Sequence, residues 1–186
     1  EKGLANILWP GFEATWPLMI TPDQAVFTGP EKDMSLATAY ASGGLGGVLG
    51  WLPLWNTVLL LTSSLTVHIA HLGLKNGNRK QFNLWLGVTL ILGYAFVVVQ
   101  AVEYYEAYTH YGLTLNTGIY GTTFFMLTGF HGFHVSMGTL MLAVILFRAM
   151  KGHFTPKNHF AFEAVAWYWH FVDVVWIGLF IFVYWI

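Results

Sequence analysis

The sequence predicts an all-α, polytopic transmembrane bundle of four helices, and three observations carry that prediction. Hydrophobic residues make up 56% of the 186-residue chain and charged residues only 9%, too little polar surface to coat a water-soluble globule. Four apolar stretches, 54–73, 84–105, 118–147 and 161–186, each approach or exceed the roughly 20 residues a helix needs to cross about 30 Å of hydrocarbon. Strands of a membrane barrel would alternate in polarity and be about half as long; these stretches do neither.

Residues 1–53 read as a non-membrane, irregular segment ahead of a transmembrane domain at 54–186. Trp9-Pro10, Trp16-Pro17 and Gly29-Pro30 mark loops, and Ser42 to Gly50 holds five glycines among nine residues, a tract that reads as an irregular approach to the first span. Pro53 suits the start of that span. The second span closes on Glu103-Tyr-Tyr-Glu106, whose tyrosines fit an interfacial belt and whose acids are expected to face water or a partner loop. Trp51, Trp55, Trp85 and Trp185 fit the same belt, while Trp167, Trp169 and Trp176 lie deeper, against lipid or protein. The chain starts with Glu rather than Met and shows no signal peptide, as expected of a processed product or a piece of a longer protein.

Lysine and arginine set the expected orientation, because positive loops stay on the side from which a protein is inserted. Lys75, Arg79 and Lys80 lie between the first two spans, and Arg148, Lys151 and Lys157 between the last two, which places both loops inside. The segment 106–117 has no Lys or Arg, and residues 1–53 set Lys2 and Lys32 against Glu1, Glu13, Asp23, Glu31 and Asp33. Both termini are therefore expected outside. No basic patch suggests nucleic acid, and the absence of cysteine excludes disulfides and thiolate metal sites.

Any chemistry must come from ionisable groups at membrane depth, which are costly unless paired or facing water. His131 and His134 lie near the centre of the third span at i, i+3, beside the small residues Gly121, Thr128, Gly129, Gly132 and Ser136. Such a stripe admits another helix closely, so one reading is polar bonding between helices; the sharper one is ligation of haem or metal. Eight histidines are present, enough for a histidine-box iron enzyme. However, His68 and His71 lie toward the inside, His131 and His134 mid-membrane and His110 outside, so these do not converge on one centre. A bis-imidazole haem between His134 and His170 would need facing helices at equal depth.

In the fourth span Glu163, Trp167 and His170 share a face, with Asp173 one turn beyond His170. A His170–Asp173 pair would either lock this helix to a neighbour or serve a proton relay, and the lock is favoured because the other spans offer only Glu103 to continue a relay. Glu163, near the helix start, complements the helix dipole, with Asn158 as a candidate cap.

Several runs resemble cytochrome c oxidase subunit III: Gly118-Ile-Tyr-Gly-Thr-Thr-Phe-Phe125, Thr128-Gly-Phe-His-Gly-Phe-His-Val135, Gly152-His-Phe-Thr155, Asn158-His-Phe160, Phe162-Glu-Ala164 and Ala166-Trp-Tyr-Trp-His-Phe-Val-Asp-Val-Val-Trp176. Gln100-Ala-Val-Glu-Tyr-Tyr-Glu106 and Asn56-Thr57 are similar to earlier landmarks of that family, and the resemblance covers about Pro53 to Ile186.

The resemblance implies a subunit of a proton-pumping haem-copper terminal oxidase in aerobic electron transport, in a bacterial cytoplasmic or mitochondrial inner membrane. It implies no catalytic residue, metal or cofactor in this chain, with haem and copper in partner subunits. The expected partners are subunit I directly, subunit II and further subunits, and phospholipids held in a cleft; the family also supports proton uptake through the D pathway. Matched positions near lipid headgroups or in the cleft are His134, Arg148, Lys151 and His153; His71, His131, Glu163, His170 and Asp173 are expected in intramembrane polar packing.

The chain departs from the family in matching only the last four of its usual seven helices. A split gene, a separate polypeptide or a fragment would each explain that. The family's carbodiimide-reactive glutamate has no counterpart here, and its Trp-Ala-His-His appears as Ile69-Ala70-His71-Leu72 with an additional His68. Two alternatives from other classes are a freestanding membrane metalloenzyme and an accessory subunit of a quinol oxidase or nitric oxide reductase.

Overall fold

A computed structural model describes residues 34–115, 117–155 and 158–185; the expected loop over residues 1–33 lies outside the described residues, as do Lys157 and Ile186. Among the described residues there are five helices and no strand. The four apolar stretches become four long helices, α2 (Leu52–Lys75), α3 (Arg79–His110), α4 (Gly118–Met150) and α5 (Phe160–Leu179), the last continuing through a π-helical turn, Phe180–Trp185. Each is long and apolar enough to cross a bilayer. They run up and down, with α2 beside α3, α3 beside α4, α4 beside α5, and α5 closing the ring onto α2.

The glycine-rich approach differs from its expected irregularity. Leu36–Leu49 is helical, α1, with Ser35 accepting the Thr38 N–H as its N-cap, but the helix is broken at Gly43 and Gly44. Gly44 sits at φ 58° and ψ −135°, a conformation that only glycine adopts readily, so the tract folds as two short helical pieces across a kink. Gly77, at φ 72°, turns the chain between α2 and α3. The Asn78 side chain then accepts the Gln81 N–H to start α3.

Two indoles on one face of α5 hold the ring together. Trp169 Nε1–H donates to Ser63 Oγ on α2 at 2.9 Å, and Trp176 Nε1–H donates to Thr57 Oγ1, two turns away, at 3.0 Å. Each hydroxyl spends its own proton on a carbonyl of α2, Ser63 on Leu60 and Thr57 on Pro53, which leaves its lone pairs for the indole. The Trp169 ring reaches the other two helices as well. A Cβ added at Gly93 on α3 would lie 2.6 Å from it, and one at Gly138 on α4 would lie 2.9 Å away. Trp176 packs edge-on against Phe96 of α3. Hydroxyl contacts bind the remaining seams: Thr66 to Thr89 between α2 and α3, Tyr104 to Thr128 between α3 and α4, and Tyr168 to the His134 carbonyl between α5 and α4.

Glu103 overturns its expected placement toward water or a partner loop. It is 0% exposed, because it shares the inward phase of α3 with Phe96, Gln100 and Ala107. Asn56 Nδ2 of α2 donates to Oε2 at 3.1 Å, and the Tyr184 hydroxyl from the π-turn donates to Oε1. Tyr184 is buried against Trp51, Phe124 and Phe180. The polar trio thus ties the end of α5 to α2 and α3 beneath an aromatic cover.

Two predictions test this packing. Gly93→Ala or Gly138→Ala forces the Trp169 indole aside and should destabilise the bundle by roughly 1–3 kcal/mol, read as a shift in unfolding equilibrium of the chain in bicelles. Glu103→Leu strands the Asn56 amide and the Tyr184 hydroxyl and should cost about 1–3 kcal/mol, whereas Glu103→Gln keeps the shape and an acceptor and should cost less. Equal loss for the two Glu103 variants in the same unfolding measurement would contradict this account.

Candidate functional site

The histidines and acids singled out in the sequence fall into three places. The first is the end of the bundle where α2 finishes and α5 begins, the inner end of the expected orientation. There Glu163 Oε1 meets His159 Nε2 at 3.1 Å and His71 Nε2 at 3.2 Å. The His159 contact is a hydrogen bond; the His71 contact is an ion-pair approach without hydrogen-bonding angles. The His71 ring is packed against Phe162 and His159. Asn158 does not cap α5, since His159 occupies the cap position without a side-chain bond to it; the Asn158 N–H instead turns back to Thr155.

The second place is the middle of the α4 and α5 faces. His131 is buried between Phe96 and Trp176, with ring centroids 5.9 and 5.1 Å away, and its Nε2 has no hydrogen-bond partner among the described residues. It therefore packs mainly as an aromatic ring. His134 instead bonds through Nδ1 to the Phe130 carbonyl of its own helix at 2.8 Å. Both imidazoles line a groove of about 240 Å³ between α4 and α5, with Leu127, Phe130, Phe171 and Val175 among its walls. The small residues beside them admit α3, and a second groove of about 220 Å³ remains there, lined by Gly129, Gly132, Ser136, Thr128 and Gln100. Gln100 is 6% exposed, and among the described residues neither of its amide atoms has a hydrogen-bond partner.

His170 and Asp173 form the third place, and they do not pair. His170 Nδ1 lies 2.6 Å from Ser64 Oγ of α2. Asp173, 5% exposed, stands beside the same serine without hydrogen-bonding geometry to it. One turn of spacing on a helix sets two Cβ atoms near each other without aiming the side chains together, and the neighbouring helix supplies the closer partner. His170 thus faces α2 while His134 turns to its own helix, so the two imidazoles do not confront each other. Of the deeper tryptophans, Trp169 and Trp176 are buried in protein and Trp167 is exposed.

The expected lipid positions divide by depth. Arg148, Lys151 and His153 are exposed together at the inner end, joined by Arg79, whose guanidinium lies over Gly152. Arg148 rests on the Phe154 ring at 5.3 Å and Lys151 on Phe147 at 4.4 Å. Among the described residues the only ion pairs are those of Glu163, so none of these cations is neutralised by a carboxylate. His134 is 14 residues up α4 from Arg148, roughly 21 Å along the axis at 1.5 Å per residue, and is not part of this rim. Sequence reasoning missed Arg79 as a member of the rim, Glu103 as a buried acid and His159 as a partner of Glu163.

Comparison with known proteins bears on these placements. The profile of the family described as Cytochrome c oxidase subunit III matches residues 33–186. Over 133 residues, 72% of this chain and 49% of the relative, it is 55% identical to Cytochrome c oxidase subunit 3 of Scyliorhinus canicula. Over the same length and shares it is 53% identical to that of Papio hamadryas and 51% to that of Rattus norvegicus. The chain spans about half the length of the curated relatives it matches. With the family's profile extending over all the described helices, the chain belongs to the cytochrome c oxidase subunit III family.

Proposed function

We propose that this chain serves as a non-redox accessory subunit of a proton-pumping haem-copper terminal oxidase, with cytochrome c as the electron donor. It braces subunit I, holds phospholipids, and supports proton uptake from the inner side, with both termini on the outer side. One observation carries the reading: polar side chains at membrane depth are spent mainly on joining helices of the bundle. Asn56 and Tyr184 bind Glu103, Ser63 and Thr57 bind the two indoles, and Ser64 binds His170. A chain built this way offers a stiff wall rather than a reaction centre.

The outward faces carry large apolar side chains, including Leu65, Ile91, Phe130, Leu140 and Val174, as suits contact with lipid or with another membrane subunit. Gly129, Gly132 and Ser136 of α4 open a small-residue groove on that exterior, suited to the close approach of a partner helix. The inner rim of Arg79, Arg148, Lys151 and His153 suits phosphate, because guanidinium and ammonium groups without carboxylate partners can hold phosphodiester oxygens by charge-assisted bonds.

His170→Leu, by removing the bond to Ser64 of α2 and loosening α5, should lower retention of this subunit in the purified oxidase by more than it lowers turnover per intact complex. Subunit content by mass spectrometry beside oxygen consumption checks this, and full retention with abolished turnover would contradict the bracing role. Arg148→Ala should mainly deplete co-purifying phospholipid. Unchanged lipid content by mass spectrometry would reject the headgroup assignment.

A further inference from the structure

Tyr184 is wholly buried, and its hydroxyl donates to Glu103 Oε1 while Asn56 Nδ2 donates to Oε2. Both oxygens of Glu103 therefore act as acceptors, so the phenol faces a base able to take its proton. Tyr104 and Tyr168 meet different company, the Thr128 hydroxyl and the His134 carbonyl, neither of which can accept a phenolic proton outright. Around the Tyr184 ring stand two indoles, Trp51 with its centroid at 6.0 Å and Trp176 at 6.1 Å, and Phe124 at 5.8 Å adds to the same cage. Trp176 gives its N–H to the Thr57 hydroxyl, which cannot carry that proton away. Tying α5 to α3 needs only a hydrogen-bond donor at position 184; three oxidisable rings in contact around a proton acceptor are a further property.

We propose that Tyr184 is a redox-active residue that yields one electron to a strong one-electron oxidant, of the class of partially reduced oxygen radicals, as its phenolic proton passes to Glu103. The O–H bond of Tyr184 breaks, the proton joins Oε1 and the electron reduces the oxidant. A neutral tyrosyl radical and a protonated Glu103 remain. A phenol that has lost an electron is a far stronger acid than the phenol itself, so the oxidation is eased where a positioned base takes the proton in the same step. Trp51 and Trp176 relay the vacancy inward, each losing an electron to the oxidant and regaining one from Tyr184. Because Trp176 keeps its bonded proton, the vacancy settles on Tyr184, whose proton has a destination. The new Oε1–H then lies against the phenoxyl oxygen, and an electron from a reductant of the ascorbate class returns the proton along the same bond. Burial keeps the radical from coupling with another. The site makes the chain a sink for stray oxidising equivalents beside its bracing role, and the inference rests on this chain's residues and not on its place in an oxidase.

The test uses the full chain, purified in detergent with whatever complex it forms, illuminated with a ruthenium tris-bipyridine photo-oxidant and persulfate, frozen, and read by electron paramagnetic resonance. The wild type should give an organic radical whose hyperfine pattern collapses when the tyrosines are ring-deuterated, and Tyr184→Phe should remove most of it. Glu103→Gln keeps a hydrogen-bond acceptor but no base, so the radical yield should fall at least about tenfold, which a merely packing role for the pair would not produce. Tyr104→Phe should leave the yield unchanged. Replacing Tyr184 by a ring-fluorinated tyrosine keeps the hydroxyl and should add a fluorine splitting, so the assignment stands even where Tyr184→Phe fails to fold. No tyrosyl signal from the wild type, or an equal yield from Tyr184→Phe or Glu103→Gln, would overturn the proposal. So would a fluorinated protein whose spectrum lacks that splitting.

Discussion

The bundle depends on burying two indole N–H groups that the bilayer cannot satisfy. Trp169 and Trp176 project from one face of α5 and must find acceptors inside the protein, since an unmet donor in hydrocarbon costs several kcal/mol. Ser63 and Thr57 of α2 supply them. Once those bonds fix the height and rotation of α5 against α2, the Trp169 ring can fit only where α3 and α4 carry no side chain, at Gly93 and Gly138. Hydrophobic burial cannot drive this assembly as it does in water, because lipid tails are as apolar as the core. Close packing around a large rigid ring, with its polar edge satisfied, supplies the specificity instead.

The same constraint explains how the intramembrane histidines behave. An imidazole deep in a bundle has to bond, stack or ligate, and each one here uses a different solution. His170 bonds to Ser64, His131 stacks between Phe96 and Trp176, and His134 bonds to its own backbone. His71 and His159 meet edge to face where α2 ends and α5 begins, beside the Glu163 carboxylate. Position along the bundle therefore separates rings that pack or bond within the core from rings that meet a carboxylate at its end.

The helices were legible because four long apolar runs admit no other membrane architecture, and the resemblance of Phe162 to Trp176 pointed to the family directly. The partners of individual polar groups were not, because they depend on rotation and contact rather than on spacing. Glu103 illustrates the difficulty: the run Glu103-Tyr-Tyr-Glu106 looks interfacial, yet its helical phase with Phe96 and Gln100 turns Glu103 inward. Tyr184, its second partner, is 81 residues away. The phase was available in the sequence and would have found the burial; the partner was not. His159 precedes the first turn of α5, so no helical periodicity could connect it with His71. For Gly43 and Gly44 composition gave the break without showing that helix flanks it.

The two ends of the bundle are finished by opposite means. At the end bearing Glu103, an acid is sealed by Asn56 and Tyr184 under Trp51 and Phe180, so its polarity is consumed inside the protein. At the other end, Arg79, Arg148, Lys151 and His153 lie open to the surroundings, two of them resting on aromatic rings rather than on acids. Glu163 cannot neutralise that rim, because it is already engaged by His71 and His159. Positive charge left free in this way is complementary to phosphate and to the side from which basic loops are not translocated. One feature of the packing, the capture of Glu163 by two imidazoles, thus leaves these cations without a carboxylate partner among the described residues.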